Sequence, residues 1–225
     1  MVFVEDGSQM IKILYEDNHV LVVVKPKNMP VCFDSSGDVD LLNYLKDYLK
    51  KKYNKPGNVY LGLIHRLDRP VGGVMVFAKT SKAASRLSDQ VRSGKVCKKY
   101  YAVVCGYLCG SGEFRDKLLK DSRTNMVRVD PTGKESCLKY NVLWSNKNYS
   151  LVDIELITGR SHQIRVQFSS RGYALFGDQR YNVNSKVGEQ IALFSYYLSF
   201  IHPTTHEVME FKEDIPNRYP FNIDI

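Results

Sequence analysis

The sequence has little of what a disulfide scaffold, a metal protein or a membrane protein needs. Its five cysteines, Cys32, Cys97, Cys105, Cys109 and Cys137, form no CxxC pair and fit no zinc-ligand spacing. They read as reduced, part-buried thiols of a cytosolic protein. No apolar run approaches the ~20 residues of a membrane span. The longest, Val20 to Val24, is long enough only for a strand. No signal-like leader opens the chain. Internal repeats, low-complexity tracts and an obvious linker are also missing. These absences leave one folded domain with a cytoplasmic location and no membrane partner as the expectation.

What is present is an ordinary core and an uneven charge. The chain has 225 residues, 44% apolar and 25% charged, enough to fold without a metal or cross-link. Lysine and arginine outnumber aspartate and glutamate by 32 to 24, a net charge of +8. Between Lys79 and Lys99 stand Lys79, Lys82, Arg86, Arg92, Lys95, Lys98 and Lys99 against Asp89 alone. The stretch after His202 is acidic instead, with Glu207, Glu210, Glu213, Asp214 and Asp224. A one-sided basic surface suits a polyanion such as nucleic acid through attraction and counterion release.

Pattern places the elements. Ile11 to Tyr15 and His19 to Val24 flank the polar turn Glu16-Asp17-Asn18 and predict a hairpin ended by Lys25-Pro26. Leu41, Leu42, Leu45, Tyr48 and Leu49 recur at helical spacing within Val39 to Tyr53. A strand over Val74 to Ala78 precedes a helix starting at Thr80 or Ser81, with Ala84, Leu87 and Val91 inward and Gly94 as its stop. Lys82 and Arg86 fall on another face. Tyr100 to Val104 reads as a strand, and Gly106 to Lys139 as strands joined by loops. Ser150 to Thr158 alternates cleanly, Ser161 opens and caps a short helix ending at Gly172, and Ile191 to Ile201 forms a hairpin with Val208 to Phe211. The pattern reads as one α+β domain rich in mixed or antiparallel sheet.

Two segments carry ionisable groups where chemistry is expected. In Ile64-His65-Arg66-Leu67-Asp68-Arg69-Pro70-Val71-Gly72-Gly73, Pro70 forbids a regular helix and the glycines allow tight backbone packing. If the segment is extended, Arg66 and Asp68 project to one side, where a neighbouring arginine holds a carboxylate ionised. A salt bridge at a strand entrance is the plainer alternative. In Gly159 to Phe168, Ile164 and Phe168 share the face that anchors the helix, while His162 and Arg165 share another. Arg165 closing a core ion pair is the plainer alternative there.

The order of these segments resembles the RluA-type family of pseudouridine synthases over nearly the whole chain. His65-Arg66-Leu67-Asp68 matches the family's HRLD motif, Lys98 to Ala102 resembles KxYxA, and Gly159 to Val166 resembles GRTHQxR. Ile13 to Pro26, Gly177-Asp178 with Tyr181, and Leu198 to Pro203 resemble its opening strands and its GDxxY and LxFxHP segments. The chain departs at Val71-Gly72-Gly73, where the family often has a serine before the last glycine, and at Ser161, where threonine is usual. The resemblance implies a single catalytic domain over residues 1–225, with a mixed, largely antiparallel sheet flanked by helices around a central RNA-binding cleft, and the expectation is that the S4-like domain of many relatives is not part of it.

The resemblance implies isomerisation of uridine to pseudouridine in RNA, ribosomal or transfer, by a monomer without cofactor or metal. It makes Asp68 the catalytic carboxylate, acting on the ribose or the uracil ring. Arg165 is the implied partner of that aspartate, and Tyr100 stacks on the uracil. The target base must leave its stack. Arg66 is the candidate to fill the vacated space, with His65 assisting, and Lys82, Arg86, Arg92 and Lys95 are candidates for phosphates. Two other readings compete. One is an RNA-binding protein of this fold without catalysis. The other is a metal-dependent hydrolase built on His65, Asp68, His162 and Asp178, which form no HExxH-like motif.

Overall fold

The structure, a computed structural model, describes residues 2–5 and 10–222. Its regular elements are three helices and a mixed, largely antiparallel set of strands, the α+β class read from the sequence. The chain forms two compact units, Met1–Val96 with Tyr197–Glu213, and Cys97–Tyr196 with Asp214–Ile225. Composition does not mark the crossings at residues 96–97, 196–197 and 213–214, because none of the three runs through a linker.

In the first unit, strands β1 (Val2–Glu5), β2 (Met10–Glu16) and β3 (Val20–Lys25) form an antiparallel meander. The β2–β3 turn is fixed by Asp17, whose carboxylate accepts from the backbone N–H of His19 and Val20, both at 2.7 Å. Helix α1 (Leu41–Lys52) follows, with Asp40 accepting from Asn43 N as its N-cap. The two-residue strand β4 (Gly62–Leu63) and β3 both pair with β5 (Gly72–Ala78), which is buried at every position. A strand buried on both faces reads as a continuous apolar run, as Val74 to Ala78 does.

Helix α2 (Ser81–Arg92) starts at Thr80, whose hydroxyl accepts from Ala83 N at 3.1 Å. It lays Ala83 and Leu87 on a core of Val20, Val22, Val74, Val76, Leu198 and Phe200. Burying Leu87 contributes roughly 1.5–3 kcal/mol. Gly94, at φ +70°, stops the helix where the sequence placed its end.

The second unit is a sheet ordered β6 (Cys97–Cys105), β10 (Tyr149–Leu156), β9 (Lys134–Ser145), β7 (Ser111–Lys120), β8 (Val127–Val129), with antiparallel neighbours. Tyr100 stands opposite Ile154, and Ile154 opposite Tyr140, so the three share one face. Helix α3 (Gln163–Ser169) covers that face through Phe168, whose ring meets Phe114 at 5.0 Å and Tyr140 at 5.7 Å. Asp153 and Glu155 point the other way, as the alternation predicted. Strand β11 (Leu193–Ile201) ends in the first unit, where Tyr197 to Ile201 pair with β12 (Val208–Lys212) in the expected hairpin.

One expectation fails at the start of α3. The N-cap is His162 at φ +52°, not Ser161, and no side chain caps the helix. Gln163 closes the loop instead. Its carbonyl oxygen accepts from Thr158 Oγ1 at 2.8 Å and Arg160 N at 3.0 Å, and its amide donates to Cys137 O at 3.0 Å. Among the described residues no helix is long and apolar enough to cross a membrane.

Candidate active site

Asp68 lies in a turn between β4 and β5, half-buried, with Leu67 beneath it in the core. Its carbonyl accepts from Val71 N at 2.9 Å, closing four residues through Pro70. At the foot of the turn Gly73 pairs with Lys25 in the β3–β5 register and has φ +133°, a conformation that only glycine adopts without strain. The departure at Gly72 therefore leaves intact the glycine that the backbone requires.

Lys25 organises this turn. It is 1% exposed, and its ammonium donates to Pro26 O at 2.9 Å, Met29 O at 2.6 Å and Arg69 O at 3.0 Å. Burial pushes its pKa down to about 7, opposed by the Asp68 carboxylate and assisted by the Arg69 charge. The cation thus ties the end of β3, the following loop and the residue next to Asp68 into one cluster. The sequence reading saw Lys25 only as a strand end. The missed signal was a lysine closing the apolar run Val20 to Val24. Arg69 adds a second tie, pairing with Asp38 and lying 3.6 Å from Asp34.

His65 Nε2 accepts from Val76 N at 3.2 Å, which ties the motif to β5. Arg66 is exposed. Arg86 donates to Pro203 O at 2.5 Å and Arg92 pairs with Asp89 within α2. Lys82 and Lys95 are exposed.

In the second unit, Arg165 on α3 is 4% exposed and grips Asp178 with two bonds, Nε to Oδ2 at 2.8 Å and Nη2 to Oδ1 at 2.6 Å. The ion pair kept as an alternative for Arg165 is thus present. Asp178 also accepts from Arg180 N and Tyr181 N, at 3.0 and 3.3 Å. The Tyr181 ring lies 5.1 Å from the Arg165 guanidinium carbon, and its hydroxyl shares a 2.7 Å hydrogen bond with His162 Nδ1. Burial pushes the Tyr181 pKa up. His162 and Asp178 are therefore engaged by Tyr181 and Arg165. Sequence reading placed Asp178 and Tyr181 in a motif but not on Arg165, because their contact forms only when the loop after α3 folds back. Tyr100, 6% exposed, stands on the β6 face that α3 covers.

The first unit thus holds a carboxylate in a clamped turn, and the second a buried bidentate arginine set among aromatic rings. Comparison with known proteins supplies the family. Residues 19–170 match the family model for RNA pseudouridylate synthase. The chain is 34% identical over 221 residues to ribosomal large subunit pseudouridine synthase D of Zymomonas mobilis, covering 92% of this chain and 69% of that one. It is 34% identical over 203 residues to ribosomal large subunit pseudouridine synthase C of Buchnera aphidicola, covering 85% and 62%. The fold is shared with the human RNA pseudouridylate synthase domain containing 4, at TM-score 0.74 and 22% identity over 92% of this chain and 89% of that one. The chain belongs to the RNA pseudouridine synthase family, of the RluA type that its motifs resemble.

Proposed function

We propose that this chain isomerises uridine to pseudouridine in ribosomal RNA, with Asp68 as the catalytic carboxylate. The observation that carries the assignment is the Asp68 turn, held by a buried lysine whose ammonium donates to three backbone carbonyls. That arrangement costs desolvation at Lys25 and fixes the backbone beside one carboxyl group. The relatives named for ribosomal large subunit modification support the choice of RNA.

In the reaction the N-glycosidic bond breaks, the uracil turns, and C5 bonds to the ribose carbon. The C5 proton is lost and N1 gains one, so the change is an isomerisation. Asp68 acts as nucleophile on the nucleoside, Arg165 favours its charged form, and Tyr100 stacks on the ring and takes up the C5 proton. The target nucleotide flips out to be reached, and the exposed Arg66 guanidinium stacks in its place. Lys82 and Lys95 are the surface cations best placed to meet phosphates, whereas Arg86 and Arg92 already have protein partners. The protein works as a monomer in the cytoplasm, where its ribosomal substrate resides.

The test is to incubate the purified chain with unmodified ribosomal RNA and map carbodiimide adducts by primer extension. Stops at one or a few uridines are expected. RNA that is bound but gives no new stop, with transfer RNA treated in parallel, assigns the chain to RNA binding without catalysis.

A further inference from the structure

Lys98 has no task in the reaction assigned to Asp68, Tyr100 and Arg165, yet its position is costly. It is half-buried at the start of β6, and burial pushes its pKa down, with only the Cys97 thiol acting in the other direction. No carboxylate among the described residues pairs with it. A half-buried ammonium without an anionic partner is partly desolvated and left to water, so an anionic ligand that reaches it meets a cation already part-stripped of its hydration. Lys99 shows the contrast. It lies on the opposite face of the strand, directly across from Glu155.

Gly159 makes room for Lys98. A Cβ at residue 159 would stand 3.1 Å from Lys98 Nζ, closer than side-chain atoms comfortably approach. Gly159 is not among the glycines with positive φ, so the backbone does not demand glycine there. A side chain there would instead press on the tip of the Lys98 stem, which would have to shift by a few tenths of an ångström. On β6, Lys98 and Tyr100 are two residues apart and point to the same side, about 7 Å from one another along the strand. That is the face covered by α3, which carries Arg165.

We propose that Lys98 binds a phosphate oxygen of the target nucleotide while Tyr100 stacks on its base, and that Gly159 is bare to leave room for this cation. The inference rests on the reading of the chain as an RNA uridine isomerase. A planar base on the tyrosine places its own phosphodiester a short step away, and a compact ammonium on a flexible stem suits a single anionic oxygen. Lys98 would then hold the nucleotide in register after it leaves the helix.

The test compares wild type with Lys98→Met and Gly159→Ala in the full chain. Removing a poorly compensated buried charge leaves the melting temperature of Lys98→Met unchanged or raised. Its KM for RNA rises about tenfold or more, with the loss mainly in KM, and the slope of log Kd against log salt falls by about 0.7–0.9, one phosphate's worth. Gly159→Ala, which displaces the ammonium by a few tenths of an ångström, weakens RNA binding less than Lys98→Met does. A neutral methylphosphonate at the target phosphate weakens wild type and leaves Lys98→Met little further affected. A lowered melting temperature with an unchanged salt slope overturns the proposal and makes Lys98 structural. Equal losses from the neutral phosphate in both proteins overturn it as well. If wild type forms no pseudouridine, the parent reading fails, while the salt slope still reports whether Lys98 binds RNA.

Discussion

At the scale of single residues, two buried cations do different work. Lys25 donates to three backbone carbonyls of the first unit, of which the bond to Met29 O is fully buried. Lys25→Met removes the donor, so a loss of about 2–3 kcal/mol in urea unfolding is expected. Activity should fall further than stability explains, because the residue after Asp68 loses its anchor. An unchanged urea midpoint would show that the carbonyls find water. Arg165 is bound to Asp178 by two bonds within a buried cluster. Arg165→Lys keeps the charge but loses the planar fork, and a fall in kcat of about 100-fold is expected with modest destabilisation. Arg165→Met strands the Asp178 charge and should cost about 3–5 kcal/mol. The sequence singled out Asp68 and Arg165 through their motifs. It hid Lys25 and the Arg165–Asp178 bond, because each depends on chain segments meeting after folding.

At the scale of elements, local signals served well where they acted alone. The β2–β3 hairpin, α1, α2 and the β11–β12 hairpin all appear where periodicity and caps placed them. The start of α3 was misread because Ser161 is a good cap in isolation, while Gln163 bonds three groups at once and fixes a different loop. The strand β5 shows how an element serves the site. Gly73 begins it in a conformation closed to other residues, and His65 accepts from its Val76 N–H. Gly73→Ala should therefore cost about 1–3 kcal/mol and move the Asp68 turn. A thermal melt gives the first number and the RNA assay gives the second effect. Retained activity in a folded Gly73→Ala protein would show that the turn tolerates a shift.

At the scale of the whole molecule, charge sets both stability and binding. Burial opposes the Glu16 charge, but bonds from Lys52, Lys79, Tyr53 and Tyr48 override it and hold its pKa at about 2, below the ordinary 4.5. A depressed carboxylate stabilises the fold above its unfolded pKa and loses that contribution as pH falls through the folded one. The stability gap between wild type and Glu16→Gln should accordingly be full above pH 4.5 and close as pH approaches 2. A gap independent of pH would assign the effect to packing. The net charge of +8 predicts RNA affinity that weakens steeply with salt. The division into two units was not legible in composition, because the chain crosses between them without a linker. The family was legible because the order of its motifs survives in the sequence even where single residues have changed.

The central claim is that Asp68 carries out the isomerisation, and the most direct measurement is tritium release from RNA labelled at uracil C5. Since C5 must lose its hydrogen, wild type should release tritium from unmodified ribosomal RNA, and Asp68→Ala should release none above background while still binding that RNA. Release by Asp68→Ala at a rate near that of wild type would contradict the account and place the chemistry on another residue.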